Sequence, residues 1–160
     1  MLTEYKGDVF EVAVQDDKWM LRKYVPTQGF ERGVITLGNK TVVCYERETN
    51  IKELTGFFDV RFCGKLKDCD YEYDLYTLNG DTVSFMCSDR TGALQNGYIE
   101  IEDKMWIGYK HLDDFETLVL KKFKRGSRDI ETTPLTKNTF IGYWKKFVTD
   151  VRPSGSNEMK

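Results

Sequence analysis

The chain has 160 residues, of which 40% are apolar and 14% aromatic, so it can bury one ordinary hydrophobic core or two very small ones. Its 24 Lys and Arg residues stand against 26 Asp and Glu residues, and the net charge of −2 excludes a uniformly basic, histone-like chain. No apolar run is long enough to cross a hydrocarbon layer of ~30 Å, and the first residues lack a signal-peptide pattern. We therefore expect a cytoplasmic protein with no membrane partner.

Alternating apolar and polar residues dominate residues 1–125 and predict β-strands. Clear examples are residues 9–14 and 34–37. Turn-forming residues recur at short intervals, which is the spacing of meandering hairpins; they are Asp16-Asp17, residues 26–29, Gly38-Asn39, Asn79-Gly80, residues 89–92 and Asn96-Gly97. The sequence therefore predicts a mainly β fold.

An internal repeat is suggested by shifting the sequence along itself. A shift of 64 residues aligns residues 33–45 with residues 97–109 and continues onto Asp114-Phe115, so each half is predicted to run hairpin, polar turn, strand. The first half carries about nine extra residues before Gly33. Units of this size, about 60 residues, are marginally stable alone. We therefore expect the units to pack together or the chain to form a homo-oligomer.

Two further segments have distinct patterns. Acidic residues Asp68, Asp70, Glu72 and Asp74 alternate with apolar and aromatic ones, which favours an exposed edge strand over a flexible linker. Residues 140–151 place apolar side chains at helical spacing, and this predicts a helix near residues 136–149 with Thr136 as N-cap and Pro153 beyond its end. Residues 154–160 are expected to be disordered.

The four cysteines show no spacing typical of a metal or redox site. They are Cys44, Cys63, Cys69 and Cys87, and no pair forms the Cys-x-x-Cys pattern of zinc knuckles and thioredoxin-like proteins. Three lie among apolar or aromatic neighbours, as small buried side chains do. We expect reduced structural thiols, with neither a bound metal nor a cofactor.

Charge is distributed unevenly along the chain. Residues 67–120 hold four basic and twelve acidic groups, whereas residues 121–160 hold ten basic and four acidic groups. The densest basic cluster is predicted to contact phosphates and comprises Lys121, Lys122, Lys124, Arg125 and Arg128. The alternative is a solvated strand end that balances the acidic middle.

A second, looser basic group lies near Trp19. Arg22 and Lys23 would extend the phosphate contact made by the first cluster. The alternation places Trp19, Leu21 and Lys23 on one face of a strand and Arg22 with Tyr24 on the other. If the apolar face is buried, Arg22 and Tyr24 point toward a partner.

Two short motifs resemble the KOW and Tudor class of SH3-like barrels. At Gly7-Asp8 and again at Gly80-Asp81, a Gly-Asp turn leads into one strand, and a second glycine, Gly33 or Gly97, precedes a later strand. The resemblance covers most of residues 5–62 and 78–125. It implies two tandem small SH3-like barrels, over residues 1–64 and 78–126. From the residue patterns we expect an acidic connecting strand over residues 65–77 and, over residues 127–160, a C-terminal extension that contains the helix near residues 136–149.

The same resemblance implies a module that binds nucleic acid or protein. In outline the chain is also similar to phage-encoded DNA-binding proteins of the MotB kind. Tudor-type barrels hold a methylated cation in an aromatic cage, for which Tyr98, Trp106 and Tyr109 are candidates. Core packing or cross-strand pairing is the more ordinary role of aromatic residues in strands.

Nothing in the sequence points strongly to catalysis. The single histidine, His111, lies near Asp113 and Asp114, and a His-carboxylate pair is a known acid-base arrangement. No nucleophile motif, phosphate-binding loop or metal-ligand spacing accompanies it. We therefore expect a protein that is not an enzyme, in which Asp113 and Asp114 form a turn or cap.

Two hypotheses for the function follow. The leading one is a non-enzymatic, largely sequence-independent protein that binds double-stranded DNA, such as a phage-encoded accessory or nucleoid-associated factor. The alternative is an acidic inhibitor or immunity-type module that covers a basic protein partner. Its working surface would be residues 68–74 with Glu100, Glu102, Asp103, Asp113 and Asp114.

Overall fold

The computed structural model describes residues 1–153, and the predicted disorder of residues 154–160 lies outside them. The described chain is mainly β with a C-terminal helix, which confirms the predicted class. Its strands are β1 (Leu2–Tyr5), β2 (Asp8–Gln15), β3 (Lys18–Lys23), β4 (Glu31–Leu37), β5 (Lys40–Thr49), β6 (Phe58–Leu66), β7 (Glu72–Asn79), β8 (Thr82–Cys87), β9 (Ile99–Glu102), β10 (Met105–His111), β11 (Phe115–Lys124) and β12 (Ile130–Leu135). The α-helices are α1 (Arg90–Gln95) and α2 (Lys137–Phe147), and short 3₁₀ helices cover Ile51–Glu53, Leu112–Asp114 and Thr149–Val151.

Several predicted turns close hairpins. Asp16 and Asp17 both adopt positive φ, 50° and 62°, and join β2 to β3 so that Gln15 pairs with Lys18. This is the backbone twist that two-residue hairpins favour. Residues 89–92 are different, because Asp89 caps the start of α1 by accepting a hydrogen bond from the Gly92 N–H at 3.1 Å. The turn expected there is therefore wrong, since acidic residues favour helix caps and turns alike.

The chain divides into two compact units. The first comprises Met1–Val60, Lys122–Ile130 and residues 143–153; the second comprises Arg61–Lys121 and Glu131–Gly142. In the first unit the antiparallel strand order is β4-β5-β3-β2-β1, and Leu2 of β1 pairs with Phe58 of β6. In the second unit β6 is followed in order by β7, β8, β10 and β9.

The two units repeat one strand order. If β3 is left out, strands β4, β5, β2 and β1 of the first unit correspond in order to β9, β10, β8 and β7 of the second. In both units the hairpin is followed by a 3₁₀ helix and then by a further strand, β6 or β11. β3 lies between Gly7 and Gly33, the interval in which the first half carries its extra residues, and α1 lies between Gly80 and Gly97 in the second unit. The repeat is therefore visible in topology as well as in sequence.

Each unit has its own aromatic-rich core. In the first, Phe10, Val12 and Leu21 are buried, and the Phe10 and Phe30 rings stack with centroids 5.0 Å apart. In the second, Cys87, Ala93 and Trp106 form a buried cluster that Tyr73 and Tyr98 pack against.

Two predictions about single elements have opposite outcomes. β7, which carries Glu72 and Asp74, pairs with β6 on one side and β8 on the other. The prediction of an edge strand there is therefore wrong. Alternation of acidic and apolar residues indicates a strand, but it does not show how many neighbouring strands pair with it. The C-terminal helix is confirmed over Lys137–Phe147, and the Thr136 hydroxyl caps it by accepting a hydrogen bond from the Thr139 N–H at 3.2 Å. Neither helix in residues 1–153 is long and apolar enough to span a membrane.

Candidate functional site

Lys122 lies in the first unit at the end of β11. Its Nζ donates a hydrogen bond to Glu4 Oε1 at 2.7 Å and sits 4.3 Å from the centroid of the Phe58 ring. Only 17% of its side chain is exposed. The bond from Lys122 lowers the pKa of Glu4. The charge of Lys122 is thus already matched inside its own unit, and a phosphate would have to displace Glu4.

Two more members of the predicted basic cluster are also matched by carboxylates. In the second unit Lys121 donates a hydrogen bond to Glu72, and this bond raises the pKa of Lys121. In the first unit Arg125 Nη2 lies 3.3 Å from Asp59 Oδ2. Lys124 and Arg128 are exposed on the same unit as Lys122 and Arg125. The structure therefore pairs Lys121, Lys122 and Arg125 with acidic side chains.

The residues of the second predicted basic group are also paired with carboxylates, and their side chains are more deeply buried than those of the first cluster's paired members. Lys23 exposes only 7% of its side chain, and its Nζ lies 2.5 Å from Asp8 Oδ2 and 5.0 Å from the Phe10 ring centroid. Burial would raise the pKa of Asp8, but the hydrogen bonds from Lys23 and from the Val9 N–H outweigh it and lower that pKa. A phosphate that approaches Lys23 would therefore have to displace Asp8 and reach a side chain on the buried face.

Arg22 and Tyr24 lie on the opposite face of the chain, as the alternation predicts, but both have partners there. Arg22 Nε donates to Glu46 Oε1 at 2.6 Å, and Glu46 is its cross-strand neighbour on β5. The Tyr24 hydroxyl donates to Glu11 Oε2 at 2.6 Å, and burial together with Glu11 raises the pKa of Tyr24. Sequence reasoning missed these partners because no local signal links positions 22 and 46.

The two units differ in charge. Over the described residues, the first unit has fifteen Lys or Arg against twelve Asp or Glu, a net charge of +3; the second has eight against thirteen, a net charge of −5. In the second unit, five exposed carboxylates form neither an ion pair nor a side-chain hydrogen bond with any residue of the described chain; they are Asp68, Asp70, Glu100, Glu102 and Asp103. This is the acidic surface that the sequence predicts for the alternative hypothesis, reduced to its unpaired members.

Three of these carboxylates belong to one hairpin, which we call the acidic hairpin (residues 99–105). Its strand β9 carries Glu100 and Glu102, and Asp103 lies in the turn that leads to β10. Beside it is a groove of ≈ 510 Å³ whose lining combines acidic, basic and apolar side chains: Ser88, Arg90, Leu94, Glu100, Asp103, Lys104 and Trp106. The groove therefore combines a small apolar part, formed by Leu94 and Trp106, with charged side chains of both signs.

Comparison of the chain with protein-family models, with curated proteins and with solved structures finds no match.

His111 is exposed and belongs to a surface network in the second unit. Its Nδ1 lies 3.1 Å from Asp81 Oδ1, and its backbone N–H donates to Asp114 Oδ2 at 3.0 Å. Lys137 joins the network through Asp81 and Asp113, and the hydrogen bond from His111 lowers the pKa of Asp81. Asp113 and Asp114 lie in the 3₁₀ helix after β10, which agrees with the turn or cap expected of them.

The aromatic residues considered for a cage do not share one face. Trp106 pairs with Cys87 and is buried in the second unit's core, where Tyr98 packs against it. Tyr109 follows Trp106 by three positions on β10 and is exposed. Successive strand residues alternate between faces, so Tyr109 points away from the Trp106 face and these residues do not form a cage.

The cysteines are free thiols, and Cys44, Cys63 and Cys87 are buried. Burial and a hydrogen bond to Asp74 raise the pKa of Cys63 to about 12, so this thiol stays protonated at neutral pH. Within residues 1–153, no group of three or more His, Cys, Asp or Glu side chains is arranged to hold a metal ion.

Proposed function

We propose that this chain is a non-enzymatic binding protein whose second unit recognises a basic protein partner, as an inhibitor or immunity-type module does. One observation carries the proposal. Most of the lysines and arginines singled out for DNA binding are matched by acidic side chains of the chain, whereas five exposed carboxylates of the second unit have neither an ion pair nor a side-chain hydrogen bond in the described residues.

The energetic reason is that a ligand can bind an unpaired charged side chain without first breaking an ion pair, whereas binding to a paired side chain costs the free energy of that pair. A phosphate that approaches Lys122 must compete with Glu4, and one that approaches Arg22 must compete with Glu46. Glu100 and Glu102 have no ion-pair partner in the described residues, so a cation that approaches them meets no competing lysine or arginine. The net charge of −5 on the second unit also steers cationic partners toward it and repels polyanions.

The proposal extends to the fold of each unit, which we assign to the SH3-like KOW and Tudor class. Support comes from the repeated strand order and from the two Gly-Asp turns, where Gly7 and Gly80 both adopt positive φ, 79° and 62°. The resemblance implies modules that bind proteins or nucleic acids, so the surface charge of each unit selects the kind of partner.

The proposal is tested with a defined cationic probe. A fluorescently labelled oligo-lysine peptide is titrated with the full chain, and anisotropy is measured at low and at moderate salt. The triple variant Glu100→Gln, Glu102→Gln, Asp103→Asn removes the acidic hairpin's charge with little change of shape. We expect it to bind the peptide roughly tenfold more weakly than the wild type, with a shallower salt dependence.

A matched control removes the same charge from the first unit. Asp16→Asn, Asp17→Asn, Glu53→Gln changes three exposed acidic residues and tolerates the positive φ of the turn, because asparagine adopts that conformation readily. This control should bind the peptide almost as the wild type does. Equal losses in both triple variants, or a salt-sensitive mobility shift of duplex DNA by the wild type, would contradict the proposal and favour the DNA-binding hypothesis.

A further inference from the structure

β4 forms an edge of the first unit's sheet. It pairs with β5 in an unbroken antiparallel ladder that runs from Glu31 opposite Glu46 to Leu37 opposite Lys40. Within the described residues it has no strand on its other side. A row of backbone N–H and C=O groups on that side therefore lacks a strand partner.

This edge lacks the devices that usually prevent strand pairing. In the second unit, the edge strand β9 has four residues, two of them glutamates, and a register shift opposite β10; β12, which pairs only with β11 in the described chain, contains Pro134. By contrast, residues 33–37 of β4 contain no charge and no proline, and their ladder has no bulge. Val34 and Leu37 are 56% and 44% exposed. Long, regular and apolar edges of this kind pair with another strand when one is available.

We propose that the partner is a second copy of this chain, and that the two β4 strands pair antiparallel about a two-fold axis at Val34. In this register Glu31 faces Leu37 of the partner subunit, and Arg32 faces Thr36 of the partner subunit. Like charges directly opposite each other would destabilise the pairing, and this register has none. The register thus avoids charge repulsion between the two strands and leaves the uncharged residues 33–37 to pair with the partner strand.

The same register joins exposed valines into one stripe. Val43 is the cross-strand neighbour of Val34 within the chain and is itself 37% exposed. The paired strands would place Val43, Val34, Val34 of the partner subunit and Val43 of the partner subunit side by side on one face. Cross-strand pairs of β-branched residues stabilise a sheet. Because the pairing is two-fold and uses up the β4 edge, assembly stops at the dimer.

A charge-swap experiment tests both the surface and the register. Val34 faces itself across the axis, so Val34→Lys and Val34→Glu each place two like charges in contact. We expect wild type to sediment as a concentration-dependent dimer and each variant to sediment as a monomer over about a hundredfold range of concentration. An equimolar mixture of the two variants should recover the dimer, because a lysine from one subunit then faces a glutamate from the other across the axis.

Val14→Lys is the matched control, since Val14 is 59% exposed on β2, away from the β4 edge. It should dimerise as the wild type does, and circular dichroism should show all variants folded. Three results would each overturn the proposal: a monomeric wild type over the whole concentration range, a dimer that survives Val34→Lys, or a wild type that assembles beyond two copies. If the Val34→Lys and Val34→Glu proteins remain monomeric when they are mixed, the proposed register is wrong.

Discussion

Gly108 shows how one missing side chain shapes the second unit's core. It lies opposite Phe85 on the neighbouring strand, and Phe85 is completely buried. A Cβ atom at position 108 would lie 2.7 Å from two atoms of the Phe85 ring and 3.0 Å from Tyr98. The absence of a side chain therefore lets two aromatic rings pack against the backbone of β10.

Replacing Gly108 with alanine should destabilise the chain by about 1–3 kcal/mol, because buried rings must shift to accept the extra methyl group. Urea denaturation followed by fluorescence measures the change. Gly142→Ala is the contrasting control, since Gly142 lies in α2 with no atom within 4 Å of the added Cβ. It should be stabilising by up to about 1 kcal/mol, because alanine favours helix. Equal effects at both glycines would show that the Phe85 contact is unimportant.

Lys23 illustrates a related point at the same scale. A lysine next to an arginine suggested a phosphate contact, yet the alternation of β3 put Lys23 on the buried face with Leu21. Asp8 satisfies its charge there. For Lys23, the face of the strand on which the side chain lies therefore indicates its exposure to solvent better than its positive charge does.

At the scale of elements, α2 begins where its sequence says it should. Thr136 has the side-chain oxygen that an N-cap needs, and it accepts the Thr139 N–H while its backbone C=O accepts the Phe140 N–H at 2.8 Å. Phe140, Trp144 and Phe147 then lie on the buried side of the helix. Capping and amphipathic spacing act together to define this element.

Thr136→Ala should therefore destabilise the chain by about 1 kcal/mol, since the Thr139 N–H loses its acceptor. Thr136→Ser keeps the oxygen and should remain within a few tenths of a kcal/mol of the wild type. Thermal unfolding monitored by circular dichroism compares the three proteins. A serine variant as unstable as the alanine variant would mean that the methyl group of Thr136, and not its hydroxyl, matters.

At the scale of the whole molecule, ion pairs tie distant parts of the chain together. Glu4 is bonded to Lys122, 118 positions away, and Asp8 to Lys23. Both carboxyl groups have a lowered pKa, Glu4 chiefly through the bond from Lys122. A carboxyl group with a lowered pKa in the folded chain contributes stability above its unfolded-state pKa, and this contribution is lost as the pH falls through the folded-state pKa.

The free energy of unfolding should accordingly decrease as the pH falls below the ordinary values of 4.5 for Glu4 and 3.8 for Asp8. Glu4→Gln should lower stability at neutral pH and flatten this acid dependence. Chemical denaturation at a series of pH values measures both effects. Glu53→Gln, at an exposed position in a 3₁₀ helix, should keep the wild-type profile; an unchanged profile for Glu4→Gln would contradict the assignment.

By itself the sequence was sufficient for features that depend on neighbours in the chain. Alternation, turn residues and the helical period of residues 140–151 led to the mainly β class, hairpin turns such as Asp16-Asp17, and α2 with its cap. The repeated hairpin, turn and strand also followed from internal similarity. Each of these is set by backbone preferences and side-chain spacing over a few residues.

Only the tertiary structure decided which charges are free and which edges are open. The pairing of Lys122 with Glu4 and of Arg22 with Glu46 depends on where distant segments meet, and local composition carries no record of it. The same is true of β7, which is enclosed by two strands, and of β4, which is left at an edge. The physical reason is that accessibility and ion pairing depend on neighbours in space, which only the folded chain brings together.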